Sequence, residues 1–204
     1  WWDHIAPALD GFRVVALDLS GMGDSDRRAQ YSREQNGREV LAVAKHCGFD
    51  PVTIVAHSFG AMGSMIAARL APGKVRRLIV IDSALPTEED GSHQIPTPPP
   101  RFYESRDAHS VTESPNGWTW KFDPEAAASL NREAYRDAMM GVTVPVDLIY
   151  GDRTEIMTPE RRESLRELAG NLRREVVIPF CHHHILIERP LALAVALNAL
   201  LAGT

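Results

Sequence analysis

The stretch Val52-Thr-Ile-Val-Ala-His-Ser-Phe-Gly60 constrains this chain more than any other. An apolar run ends at a serine, and helical spacing begins at once in Ala61-Met-Gly-Ser-Met-Ile-Ala-Ala-Arg-Leu70. A strand that must become a helix within three residues forces the middle residue into a strained backbone conformation. The side chain of Ser58 then stands clear of the sheet, above a helix N-terminus whose backbone N–H groups favour negative charge. Small residues at Ala56 and Gly60 let such a turn close. This is the strand–turn–helix setting of a nucleophile elbow, with Ala56 in place of the first glycine. An ordinary βα loop with a serine near a helix cap uses the same residue types, so the surroundings must decide.

Five β-branched-rich apolar runs occur, at residues 12–19, 52–56, 77–81, 144–150 and 175–179. Their apolarity is continuous rather than alternating, which predicts strands covered on both faces, as in a parallel sheet. Helical patterns fall between them at 32–46, 59–70, 124–140, 159–169 and 188–202, with Pro124 and Pro159 at first-turn positions. The alternation predicts an α/β fold, a doubly wound and mostly parallel sheet. Residues 86–122 break the rhythm with Pro96-Thr-Pro-Pro-Pro100 and Gly117-Trp-Thr-Trp-Lys-Phe122. They read as a short irregular lid inserted into a core made of residues 1–85 and 123–204.

With 204 residues, 44% of them hydrophobic and a net charge of −5, the composition is that of one ordinary globular domain. The acidic balance and the lack of a basic run argue against nucleic acid and anionic membrane as partners. The apolar run at 191–202 is too short to span a bilayer and carries Asn198. No signal peptide is visible, so a cytoplasmic location is expected. Cys47 and Cys181 lie far apart and read as reduced thiols. The chain opens Trp1-Trp2 inside a helical pattern and without methionine, which suggests a fragment or a trimmed chain.

Three motifs in order resemble the α/β-hydrolase superfamily, its serine-nucleophile branch. Asp18-Leu-Ser-Gly-Met-Gly-Asp-Ser25 is similar to the turn after the strand that precedes the elbow, and Val55-Ala-His-Ser-Phe-Gly60 to the elbow itself. His182-His-His-Ile-Leu-Ile-Glu-Arg-Pro190 is similar to the late segment that carries the catalytic histidine, which the spacing from Glu188 and Pro190 puts at His183. The resemblance implies Ser58 as nucleophile and His183 as base. Where the usual acid follows the fourth run, Gly151-Asp-Arg-Thr-Glu155 offers Thr154 instead. The acid is then Asp82, at the end of the preceding strand, with Glu155 and Asp152 as alternates. The resemblance also implies that the first strands and an oxyanion loop are missing. One missing strand belongs between the runs at 12–19 and 52–56. Those runs must therefore pair directly or leave backbone N–H and C=O groups unsatisfied.

A serine hydroxyl needs a base within hydrogen-bond reach, and a histidine, with an ordinary pKa of about 6.5, supplies one. A carboxylate behind it fixes the tautomer and stabilises the imidazolium. The N–H of Phe59 is the expected oxyanion donor; losing a second donor costs on the order of 100- to 1,000-fold in rate. Phe59 and Met62, just past the serine, are expected to line a substrate pocket. Trp118 and Trp120, two apart, either wall that pocket or strap the lid to the core. His57 is expected to pack or hydrogen-bond locally. Neighbouring residues of the run 182–184 cannot all face one ion, so no metal is expected. Gly21-Met-Gly23 is not followed by the rest of a dinucleotide fingerprint, so no nucleotide, and no cofactor, is expected.

The expected activity is hydrolysis of a small ester or related acyl substrate through an acyl-enzyme. The same machinery serves carbon–carbon bond hydrolases, lactonases and haloperoxidase-like enzymes. Ser58 disfavours the branches whose nucleophile is an aspartate. The rival expectation is an inactive hydrolase-like fragment that binds a ligand or partner, and a third is a docking module using the Trp-rich insertion. Nothing in the sequence sets an oligomeric state.

Overall fold

The computed structural model describes residues 1–85, 110–115, 117–128 and 132–203. Strands are numbered here in chain order. Strands β1 (Val52–His57), β2 (Val75–Ile81), β5 (Val146–Gly151) and β6 (Leu172–Ile178) form one parallel sheet in the order β1-β2-β5-β6. Because successive side chains point to opposite faces, these apolar strands supply two cores at once. Leu78, Val80, Leu148 and Tyr150 pack with Met65, Met139 and Leu165 on one face. Ile79, Ile81 and Ile149 pack with Leu193 and Leu197 on the other.

The helices follow from caps and apolar stripes. Helix α1 (Arg33–His46) starts where the Ser32 side chain accepts the Gln35 N–H, and α5 (Pro159–Leu168) where Thr158 accepts that of Arg161. Between these come α2 (Gly60–Leu70), α3 (Pro124–Ala128) and α4 (Arg132–Met140). A short α6 (Ile185–Glu188) leads into α7 (Pro190–Ala202), which buries Leu193, Leu197 and Leu200 against the sheet. Helices α1 and α2 cross closely. A Cβ on Gly37 would stand 2.6 Å from Ile66 Cγ2, and one on Gly63 would stand 2.9 Å from Asn36 Cβ.

Three sequence expectations need correction. Among the described residues, 12–19 join no sheet and β1 pairs only with β2. Phe12, Val14 and Val15 remain 40–42% exposed. A cleft of about 1610 Å³ lies between this segment and β1, lined by Phe12, Val14, Leu17, Val52, Ile54 and Val55 among others. The apolar run has strand composition, but among the described residues no strand pairs with its backbone groups. Second, the region expected to be irregular holds an antiparallel hairpin of β3 (Val111–Ser114) and β4 (Gly117–Trp120). The rest of the expected lid, 86–109, lies outside the described residues. Third, the chain opens in 3-10 turns at Trp2–His4 and Ala6–Ala8. The helical pattern at 124–140 is seen as α3 and α4, and residues 129–131 between them lie outside the described residues.

The far end of the sheet from the serine carries a charge cluster built on buried Asp147 and Arg77. Asp147 on β5 pairs with Arg77 on β2 and, at 3.2 Å, with Arg174 on β6. Both arginines also donate to the Leu200 carbonyl, at 2.7 and 3.1 Å, and so tie the end of α7 to the sheet. Removing one partner leaves a buried charge uncompensated. Asp147→Ala is therefore expected to cost about 3–5 kcal/mol in a denaturant titration; a loss below about 1 kcal/mol would contradict this account of the cluster.

Candidate active site

Parallel strands place their C-terminal ends side by side, and the site is built there. His57 pairs with Ile81 in the β1–β2 register, so the next residues, Ser58 and Asp82, are neighbours. Both adopt left-handed backbone, φ 50° and 45°. Non-glycine residues rarely hold that conformation unless their surroundings impose it. Each is fixed by a bond to the next strand: the Ser58 N–H donates to the Ile81 carbonyl at 3.0 Å, and that of Asp82 to the Ile149 carbonyl at 2.8 Å. A third such residue, Phe180 (φ 54°), turns the chain after β6 toward His183.

Asp82 is fully buried, and its carboxylate gathers three donors. His183 Nδ1 lies 2.7 Å from Oδ2, Thr154 Oγ1 donates to the same oxygen at 2.7 Å, and the Gly151 N–H reaches Oδ1 at 3.3 Å. A carboxylate only accepts, so the proton of His183 sits on Nδ1 and the lone pair on Nε2 faces away. Among the sequence candidates, Asp82 is the carboxylate that meets His183. Asp152 is exposed and accepts the Cys181 N–H at 3.1 Å. The Phe180 and Cys181 amides hold its carboxyl below the usual range. Asp152 thus braces the loop that carries His183. Glu155 is exposed on the loop after β5.

Ser58 Oγ has no hydrogen-bond partner among the described residues, nor has the Phe59 N–H. The Phe59 ring lines the cleft and lies 4.3 Å from the Arg33 guanidinium carbon. Arg33, which the sequence reading passed over, is buried and donates to the Ala126 carbonyl at 2.8 Å. Loss of hydration lowers its pKa to about 10. Met62 is a correction: it is 1% exposed within the core of α2, because that helix is buried on nearly every side and proximity to Ser58 does not select an outward position. Trp120 lines the cleft with Phe122, its ring 6.2 Å away, whereas Trp118 on the same hairpin is 40% exposed.

His57 is more than local packing. Its Nε2 lies 2.9 Å from the His183 carbonyl, and its ring stacks on Trp1 and lies tilted against His183, with centroids at 6.0 and 4.8 Å. Loss of hydration, and then the neighbouring His183, lower its pKa to about 3. Among the described residues no cluster of three His, Cys, Asp or Glu side chains could hold a metal, and no helix is long and apolar enough to cross a membrane.

A family model for the alpha/beta hydrolase fold matches residues 1–111. That is more than half of the chain, and the protein belongs to this family. The lipase LipV of Mycobacterium tuberculosis (strain ATCC 25618 / H37Rv) is 33% identical over 84 residues, covering 41% of this chain and 32% of the lipase. A soluble epoxide hydrolase of Corynebacterium sp. (strain C12) is 30% identical over 83 residues, covering 40% of this chain and 29% of the hydrolase. The chain thus spans about a third of the length of the curated relatives it matches. The solved E-2-(acetamidomethylene)succinate hydrolase superposes with a TM-score of 0.81 at 20% identity, over 98% of this chain and 86% of its own, which shows a shared fold.

Thr154 stands where the resemblance led one to expect an acid, and its hydroxyl donates to the Asp82 carboxylate at 2.7 Å. Thr154→Val removes that donor from a buried carboxylate and is expected to cost about 1–3 kcal/mol. Thermal unfolding checks this; an unchanged midpoint would mean that Asp82 does not depend on Thr154.

Proposed function

We propose that the protein is a serine hydrolase that cleaves a small carboxylic ester or related acyl substrate through an acyl-enzyme. The observation that carries the reading is the 2.7 Å contact of His183 with buried Asp82, beside a serine held in left-handed backbone on the adjoining strand. In this scheme Ser58 Oγ attacks the acyl carbon while its proton passes to His183 Nε2. The negative carbonyl oxygen is met by the free Phe59 N–H. His183 then returns the proton to the departing alcohol, and water repeats the sequence to release the acid. Asp82 holds the tautomer and offsets the positive charge that builds on the ring. The steps need side chains and backbone alone, without a cofactor. The cleft residues Phe59 and Trp120 give the acyl or alcohol portion an apolar wall.

A second reading, ligand binding without turnover, is favoured by one observation: Ser58 Oγ makes no hydrogen bond among the described residues, His183 included. A fluorophosphonate probe and short p-nitrophenyl esters separate the two. The proposal predicts a single adduct by intact mass and measurable hydrolysis, both lost in Ser58→Ala. No adduct on a chain shown by circular dichroism to be folded would favour binding without turnover.

A further inference from the structure

We propose that His57 is a positioning residue, whose Nε2–H, donated to the His183 backbone carbonyl, fixes the loop carrying His183 against the turn carrying Ser58. The inference rests on the serine-hydrolase reading and adds a residue to it. A carbonyl can only accept, so the 2.9 Å contact requires the proton of His57 on Nε2. That proton is committed to the carbonyl, which makes His57 a brace rather than a base for its neighbour Ser58.

The loop after β6 is anchored at three successive residues. The Cys181 N–H goes to Asp152 at 3.1 Å, the His182 N–H to Glu188 at 2.9 Å, and the His183 carbonyl receives His57 as well as the Ile185 N–H at 3.0 Å. Asp152 follows β5 and Glu188 ends α6, so those two anchors hold the loop to itself and to β5. Asp82 holds the His183 ring from β2. Of these anchors, His57 is the one on β1, the strand that delivers Ser58. It sets the distance between the two reacting side chains directly.

The ring is suited to this role in its neutral form. Trp1, His183 and His184 surround it, at centroid distances of 6.0, 4.8 and 6.4 Å. Loss of hydration there keeps it from gaining a proton. A charged ring at 4.8 Å would oppose the imidazolium that His183 must become. Positional errors near 1 Å cost on the order of 100-fold in rate. Loss of the His57 donor should therefore appear in kcat rather than in KM.

Two substitutions isolate the donor. His57→Phe keeps the stacked ring and removes the N–H, while His57→Gln restores an N–H donor at a similar reach. With p-nitrophenyl esters, His57→Phe is expected to lower kcat about 10- to 100-fold with KM within about 3-fold. His57→Gln is expected to recover to within about 5-fold of the parent. Equal loss in both variants, or no loss in His57→Phe, would overturn the positioning role.

Histidine side-chain 15N NMR of the parent and both variants needs no turnover. The proposal requires His57 as the Nε2–H tautomer. It also requires a slowly exchanging His183 Nδ1–H that persists in His57→Gln and is lost in His57→Phe. An Nδ1–H tautomer at His57, or a His183 signal unaffected by Phe, would overturn it. Should the parent label with no serine probe, the hydrolase reading fails, and the NMR result still decides whether His57 holds the loop.

Discussion

The contact between Asp82 and His183 joins residues 101 positions apart, and the rest of the site is arranged around it. It brings the end of β2 to the loop after β6 across the end of β5, which lies between them. A buried carboxylate is costly unless its oxygens are satisfied. Here His183, Thr154 and the Gly151 N–H supply the donors, and all three come from elements that follow β5 or lie at its end. The parallel order puts those elements within reach. Left-handed residues at the ends of β1, β2 and β6 then turn the chain sharply enough to present side chains instead of continuing the strands.

Much of this architecture was legible in the chain. Uninterrupted apolar runs predicted strands buried on both faces, and four of the five are sheet strands. Pro124 and Pro159 marked helix starts, since the tolerance of a first-turn proline is local and needs no knowledge of the fold. The turn at Ser58 was legible for the same reason, since strand, small residues and helix are adjacent in sequence. The run at 12–19 misled because a strand is defined by its neighbour, and composition does not say whether a neighbour is present.

The parts that were hidden depend on long-range contact. Three carboxylates fitted the acid by chain order, and only the three-dimensional arrangement separates Asp82 from Asp152 and Glu155. Met62 was misplaced because α2 is apolar nearly all round, so helical period names no outward face. The four-residue strands of the hairpin are too short for alternation to register against a Pro- and Ser-rich background. His57 was expected to pack or hydrogen-bond locally because its partner is 126 residues away, and Arg33 drew no reading because nothing nearby in sequence announces burial.

The two ends of the sheet use buried charge differently. At the end carrying Arg77, Asp147 and Arg174, opposite charges and a helix carbonyl satisfy one another, which serves stability and leaves nothing free to react. At the other end, Asp82 is satisfied by donors of which one is an imidazole whose second nitrogen stays available. The central claim is that Asp82 and His183 act as one unit on Ser58. A double-mutant cycle of ester hydrolysis with Asp82→Asn, His183→Ala and the pair, each verified as folded, tests it most directly. Asp82→Asn should lower kcat on the order of 10,000-fold and His183→Ala on the order of a million-fold. The double variant should be no worse than His183→Ala alone. Additive losses, or full activity in Asp82→Asn, would contradict the account.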